Sequence, residues 1–183
     1  ASPALPNEEQ PNDSLTSTGG PTAATTEGDA SVEEQAIKNK GTLLDGVTYV
    51  FAGGNTSRKV WDVAGGSSSN GANVQIYSSN MTKAQRWLVH ADADGFLTFE
   101  NVGSGLVLDV SGGKAESGRN VQQYVANGTR AQKWIAVKGV NGGLTIHSAL
   151  DYDYVLDVAG GSSANGANVQ LYKGNQTAAQ VFY

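Results

Sequence analysis

The chain has 183 residues, enough for one ordinary domain and a tail, and a net charge of −5 at neutral pH. It holds no cysteine, which excludes disulfides and thiolate metal sites, and no apolar run approaches the ~20 residues of a membrane helix. The charge sits in the first 40 residues, where seven acids face Lys38 and Lys40, while residues 41–183 carry ten acids and ten bases. A neutral module offers no footprint for a phosphate backbone, so nucleic acid is not expected as a partner, and without a long apolar run neither is membrane insertion.

Residues 1–31 are rich in Pro, Thr, Ser, Ala and Gly and almost free of large apolar side chains. Such a segment cannot bury enough surface to offset the entropy of ordering it. A flexible, disordered acidic linker is therefore expected over 1–40, a stalk from another domain or a cell-surface anchor. Within it, VEEQAIKNK at 32–40 reads either as one helical turn against the domain or as coil. The folded domain is expected over 41–183.

From Asp45 onward the chain repeats itself. VWDVAGGSSSNGANVQIY at 60–77 returns as VLDVSGGKAESGRNVQQY at 107–124 and as VLDVAGGSSANGANVQLY at 155–172. Asp62, Asp109 and Asp157 are 47 and 48 residues apart, and Asn73, Asn120, Asn168 and Gln85, Gln132, Gln180 keep those intervals. The copies span about 45–93, 94–140 and 141–183. Each opens at a turn pair, Asp45-Gly46, Asp94-Gly95 or Asn141-Gly142, which favours the type I′ turn with positive φ at both central residues. VTYVF, FLTFE or GLTIH follows, then segments like VLDV, NVQLY and AQRWLVH. All are short, β-branched or aromatic, and bounded by Gly, Ser and Asn, giving about four strands per copy.

No copy contains an amphipathic helix, which excludes helical repeats. Three copies are too few for a propeller, despite the Trp61-Asp62 pair. Three four-stranded copies closing on one another predict an all-β chain, a β-trefoil, in which closure removes the edges one copy would expose. The third copy ends one residue after Phe182. Its last strand is therefore expected to be short, with a partner near Val47–Phe51.

Val63, Val110 and Val158, with Trp87, Trp134 and Phe182, are expected in the core. The Gly-Gly and Asn-Gly pairs are expected in turns. The recurring Asp has two readings. It can cap the glycine turn that follows it. It can also work with the tyrosine fifteen residues on, Tyr77, Tyr124 or Tyr172. A carboxylate accepts hydrogen bonds from two neighbouring sugar hydroxyls, and a ring stacks on the C–H face of a pyranose. HADADGFLTFE at 90–100 imitates a calcium loop, but it opens on His90 and its Glu100 falls one residue short. Its Asp94-Gly95 reads as a hairpin turn. The Asn-x-Thr triplets at 80–82, 127–129 and 175–177 recur at the repeat interval and also read as turns. His90 and His147 do not recur and no nucleophile motif accompanies them, so neither catalysis nor a cofactor is expected.

The triplicated (V/L)LDV…NVQLY…AQ-x-W pattern resembles the ricin-type β-trefoil lectins of bacterial type, also classed as carbohydrate-binding modules, over about 44–183. The resemblance implies that Asp62, Asp109 and Asp157 bind sugar hydroxyls and that Tyr77, Tyr124 and Tyr172 are stacking platforms. It implies that Gln75, Gln122 and Gln170 orient the Asp. Gln85, Gln132 and Gln180, the Gln of Q-x-W, are grouped into the same sites. Galactose-binding members often carry Asn just before that Gln; Ala84, Ala131 and Ala179 stand there in this chain. The middle copy carries Lys114, Glu116, Arg119 and Gln123 where its siblings have small or apolar residues, so its pocket is expected to differ or be silent. The expected function is non-catalytic binding of glycans or polysaccharide through weak multivalent sites, of galactose type or for another pyranose. The expected setting is a larger secreted or cell-surface protein, of bacterial kind. The alternative is a structural or protein-interaction trefoil spacer with decayed sugar sites.

Overall fold

The structure, a computed structural model, describes residues 30–55 and 58–183. The linker expected over 1–40 lies outside them as far as residue 29. The first copy supplies strands β1 (Thr48–Tyr49), β2 (Val60–Val63), β3 (Val74–Tyr77) and β4 (Trp87–Ala91). The second supplies β5 (Leu97–Asn101), β6 (Val107–Val110), β7 (Arg119–Tyr124) and β8 (Trp134–Lys138). The third supplies β9 (Leu144–Ser148), β10 (Tyr154–Val158), β11 (Val169–Lys173) and then isolated bridges from Phe182.

Strand β4 pairs with β1 and β5, and β8 pairs with β5 and β9. Phe182 bridges Leu144 and Gly53, so the ring closes from the last copy onto the first. The hairpins β2–β3, β6–β7 and β10–β11 cap one end. The architecture is the expected β-trefoil. The last strand is as short as expected, but its partner is Ala52–Gly54 rather than Val47–Phe51. Tyr183 and Ala52 exchange both backbone hydrogen bonds and Gly54 N–H donates to the Val181 carbonyl, whereas β4 already holds Thr48 and Tyr49.

The repeat-opening turns are not type I′. Only the glycine of each pair has positive φ, +74° at Gly46, +92° at Gly95 and +80° at Gly142. The loop between β4 and β5 shows why: it is longer than two residues. Asp92 N–H donates to the Phe96 carbonyl, and Asp92 Oδ1 accepts from the N–H groups of Asp94 and Phe96. The calcium-like run is thus a self-bonded turn.

The expected core residues Val63, Val110, Val158, Trp87, Trp134 and Phe182 are all buried, together with Trp61, Phe51 and Phe99. Trp61 meets Phe99 and Phe182 edge-on at 5.5 and 5.2 Å between ring centres, a favoured aromatic geometry. The Trp61-Asp62 pair is therefore one core filler and one polar neighbour. Where the three hairpins meet, Asn73, Asn120 and Asn168 close a ring of side-chain hydrogen bonds. Asn73 Nδ2 donates to Asn168 Oδ1 (2.8 Å), Asn168 Nδ2 to Asn120 Oδ1 (2.8 Å) and Asn120 Nδ2 to Asn73 Oδ1 (2.9 Å). Each amide donates once and accepts once, which is why asparagine recurs at the repeat interval.

Residues 32–40 resolve in favour of the helical alternative, and the folded unit begins before the expected boundary at residue 41. Helix α1 (Val32–Lys38) is capped by Ser31, whose Oγ accepts from Glu34 N–H at 3.1 Å. Glu33 and Glu34 in its first turn and Lys38 in its last complement its dipole. Ala36 is fully buried in a small cluster with Phe96, Ile135 and Ala149. The helix backbone rests on Gly95, where an added Cβ would stand 2.2 Å from the Ala36 carbonyl oxygen. Arg130 pairs with Glu33, and Lys40 Nζ donates to the Ala93 carbonyl at 3.0 Å.

A chain beginning at Gly41 should therefore be less stable than one beginning at Ala30 by about 1–3 kcal/mol, the apolar surface of Phe96 and Ile135 being uncovered. Gly95→Ala should cost the longer chain more than the shorter one, because the positive φ at Gly95 strains alanine in both while only the longer chain has the helix backbone to displace, and thermal unfolding of the four proteins measures it. Equal melting temperatures would show that the helix contributes nothing to the fold.

Candidate functional site

Pairing of β2 with β3 sets Asp62 opposite Gln75, and Tyr77 lies two residues further along the same face. The same register sets Asp109 opposite Gln122 and Asp157 opposite Gln170. Gln75, Gln122 and Gln170 donate through Nε2 to Oδ1 of their Asp at 3.1, 3.0 and 3.0 Å. The second oxygen is held from the other side. Gln85, Gln132 and Gln180 donate to Oδ2 at 2.9, 3.0 and 3.0 Å.

These late glutamines were expected among the sugar-contacting groups, but they face the carboxylate from inside the protein. Their second N–H goes to the carbonyl of Ser78, Val125 or Lys173. Their Oε1 accepts the backbone N–H of Asn80, Asn127 or Asn175. With no N–H left and at most 2% of their surface exposed, they position the Asp rather than touch a ligand. Nor does the Asp cap the glycine turn, because its protein partners are the two glutamine amides; the first and third turns are closed by backbone bonds such as Ser67 N–H to the Ala64 carbonyl.

Each carboxylate is only 5–6% exposed, and none enters a salt bridge among the described residues. A buried charge held by neutral amides alone is costly. Such groups concentrate where function needs them. Two amide bonds leave lone pairs on both oxygens, and these face a shallow cleft. Beside each carboxylate the tyrosine ring is open to solvent: Tyr77 is 39%, Tyr124 38% and Tyr172 40% exposed. The structure therefore brings Asp62, Gln75 and Tyr77 together, Asp109, Gln122 and Tyr124 together, and Asp157, Gln170 and Tyr172 together, in clefts of about 530, 830 and 480 Å³.

Ala84, Ala131 and Ala179 line the clefts as small apolar walls. Asn80, Asn127 and Asn175 line them as well and were missed as site residues. The Asn-x-Thr triplets do form turns: Oδ1 of Asn80 accepts from both the N–H and the hydroxyl of Thr82, and the other two triplets match it. That leaves each asparagine Nδ2 as a donor at the cleft edge. Recurrence at the repeat interval was the available signal.

The middle cleft differs, as expected, but none of Lys114, Glu116, Arg119 and Gln123 lines it directly. Gln122 faces the cleft, so Gln123, its neighbour on β7, faces away. Gln123 is fully buried, donates to the carbonyls of Ser67 and Ser69 and accepts from the Ser104 hydroxyl. Glu116 and Arg119 pair with each other at 2.6 Å. The difference lies in the larger volume, in the lining residues Arg130 and Leu150, and in Asp109, whose carboxyl is pushed above the usual aspartate range by burial, against the opposing bonds from Gln122 and Gln132.

The arrangement can accept hydroxyl protons, stack on an apolar face and donate from amides. No group of His, Cys, Asp and Glu among the described residues is arranged to hold a metal. Asp62→Asn should destabilise the chain, since one amide N–H would face a glutamine N–H in a buried place, at about 1–3 kcal/mol for a group left unpaired. Tyr77→Ala should leave the melting temperature nearly unchanged, because the ring stands partly in water. Calorimetry on both variants checks the assignment of one residue to structure and site together and the other to the site alone.

A family model described as "Ricin-type beta-trefoil lectin domain-like" matches residues 42–124 and 83–172. No curated protein matches the sequence. Among solved structures, the designed three-fold symmetric protein ThreeFoil is 32% identical with a TM-score of 0.70, over 74% of this chain and 95% of its own. The exo-β-1,3-galactanase 1,3Gal43A from Clostridium thermocellum is 28% identical with a TM-score of 0.72, over 76% of this chain but only 30% of its own. A ricin B-like lectin from Macrolepiota procera, solved with lactose, shares the fold at 20% identity and a TM-score of 0.66, over 76% of this chain and 95% of its own. With its three repeats, its closed barrel and its matched family model, the chain belongs to the ricin-type β-trefoil lectin domain-like family.

Proposed function

We propose that the chain binds glycans without catalysis, through three shallow clefts that act together on multivalent surfaces. The observation that carries this reading is the buried carboxylate that only neutral amides hold, repeated three times beside a half-open tyrosine ring. That arrangement has a use when two neighbouring sugar hydroxyls supply the missing donors and the pyranose face covers the ring. The lactose bound by the Macrolepiota lectin supports the ligand class. The free asparagine Nδ2 at each cleft edge offers a donor that the alanines at 84, 131 and 179 do not. The sugar is a pyranose with adjacent hydroxyls, of galactose type or another. In this reading the acidic segment ahead of the domain is a stalk, and the module is displayed outside the cell on a larger protein, which it targets to glycans.

Each cleft is open and shallow, so single-site affinity is set at about millimolar, roughly −4 kcal/mol. Several clefts meeting one surface gain roughly 100-fold or more by linkage alone. Tyr77→Ala, Tyr172→Ala and the double variant test this on immobilised glycans and on free monosaccharide. The double variant should lose far more on the surface than in solution. A folded triple variant, with Tyr124→Ala added, that holds glycan surfaces like the parent would show the clefts to be architecture and favour the spacer alternative.

The pH dependence follows from Asp109. Its proton returns at a pH above the usual aspartate range, so on acidification the middle cleft should lose its acceptor early. The folded state favours the protonated carboxyl, so this group adds stability as the pH falls through its folded pKa. Binding by the middle cleft, isolated by Tyr77→Ala and Tyr172→Ala, should fall before pH reaches about 3.9, with no unfolding by circular dichroism. Loss of binding only together with unfolding would contradict this.

A further inference from the structure

Each cleft is walled on one side by a residue of the next copy around the barrel. Trp87 pairs with Asn101, Trp134 with Ser148 and Phe182 with Gly53, so these three partners occupy equivalent positions. Two residues beyond them lie Gly103, Leu150 and Asn55, and these line the first, middle and third clefts. Most of the framework is shared, with Asp, Gln, Tyr, Asn, Thr and Ala recurring in all three; besides the wall, the residue before that alanine differs, being Lys83, Arg130 or Ala178. The wall residues have nothing in common.

Gly103 presents no side chain to the first cleft, and the backbone there packs closely, since a Cβ would stand 3.4 Å from Lys83 Cβ and 3.2 Å from Asn101 Oδ1. Leu150 is partly buried against the core and gives the middle cleft an apolar wall. Asn55 gives the third cleft an amide. Its Nδ2 donates to the Gly161 carbonyl at 2.5 Å, and a carbonyl can only accept, so this contact fixes which end of the amide is which. Oδ1 is then a buried acceptor with no partner among the described residues. An acceptor in that state is costly until a donor reaches it; it is closed to water as the side chain stands, so a ligand hydroxyl bonds it when the Asn55 side chain swings toward the cleft it lines.

We propose that Gly103, Leu150 and Asn55 are specificity-determining residues that give the three clefts different preferences among pyranoses. Leu150 favours a sugar bearing a methyl-terminated substituent such as an acetamido group. Asn55 favours the parent hydroxyl at the same position, and Gly103 discriminates least. One protein then reads three related sugars on a mixed glycan surface rather than one sugar three times. The proposal rests on the glycan-binding reading above.

Single-cleft proteins test it, made by Tyr→Ala at the other two platforms. They are titrated by NMR with galactose against N-acetylgalactosamine, and with glucose against N-acetylglucosamine. The ratio of acetamido to parent-sugar affinity at the middle cleft should exceed that at the third by about 10-fold, the low end of what one apolar contact discriminates. Asn55→Leu should raise the ratio at the third cleft, and Leu150→Asn should lower it at the middle one. Leu150 touches the core, so if its variant does not fold, Asn55→Leu carries the test alone. Binding that persists with equal ratios at both clefts, unmoved by Asn55→Leu, would overturn the proposal and leave the glycan-binding reading standing. Failure of the parent to bind any of the four sugars, or glycans displaying them, would overturn both.

Discussion

In every copy of the repeat, one carboxylate is taken out of water and gripped between two glutamine amides. The first glutamine lies across the hairpin and the second comes from the short turn after it, so Asp62 joins β2, β3 and the 83–85 turn at one point. The late glutamine also fixes the loop between, through the Ser78 carbonyl and the Asn80 N–H. Hairpin, loop and turn are therefore set by the charge whose remaining lone pairs face the cleft. Architecture and recognition are not separable at this residue, which is why removing the tyrosine is the cleaner way to silence a cleft.

Closure sets the second constraint. A single copy would leave strand edges unpaired and its apolar face exposed, and only three together bury Trp61, Trp87, Trp134 and Phe182. The asparagine ring ties the hairpins at the axis while the pairing of Phe182 with Gly53 and Leu144 ties the barrel. Three-fold repetition makes three like clefts an automatic product of the fold. The differences between them then lie in the few positions where the copies diverge without disturbing closure. Gly103, Leu150 and Asn55 are such positions, being at the rim; Gln123 is another, spent on holding the 67–69 loop of the neighbouring copy.

The trefoil was legible because its cause is periodic: the spacing of Asp62, Asp109 and Asp157 needs no contact to be seen. The Asp–Gln–Tyr triads were legible for the same reason, each member lying within one copy. What stayed hidden depends on packing between distant segments. Helix α1 is seven residues long, too short for propensity to decide, and it forms because Ala36 and Gly95 are small enough to let its backbone rest on the barrel. The role of Gln85 was misread because its spacing from Asp62 shows only that the two meet, not from which side. The wall residues were invisible because each belongs by sequence to one copy and by position to its neighbour's cleft. The turn type at Asp94-Gly95 was misjudged because the pair was read alone, without the side-chain bonds from Asp92.

The central claim is that the three gripped carboxylates, with their tyrosine rings, are the places where sugar is held. Nitrogen-15 NMR of the whole chain, titrated with lactose and then with N-acetylglucosamine oligomers, addresses it directly. The side-chain amides of Gln75, Gln122 and Gln170 and the backbone of Tyr77, Tyr124 and Tyr172 report on the clefts separately. The account predicts that shifts concentrate at these residues and at the Asn80, Asn127 and Asn175 amides, with the buried late glutamines following weakly. Shifts gathered elsewhere, such as on the α1 face or around His147 and Tyr152, would contradict it, as would a spectrum that no glycan moves.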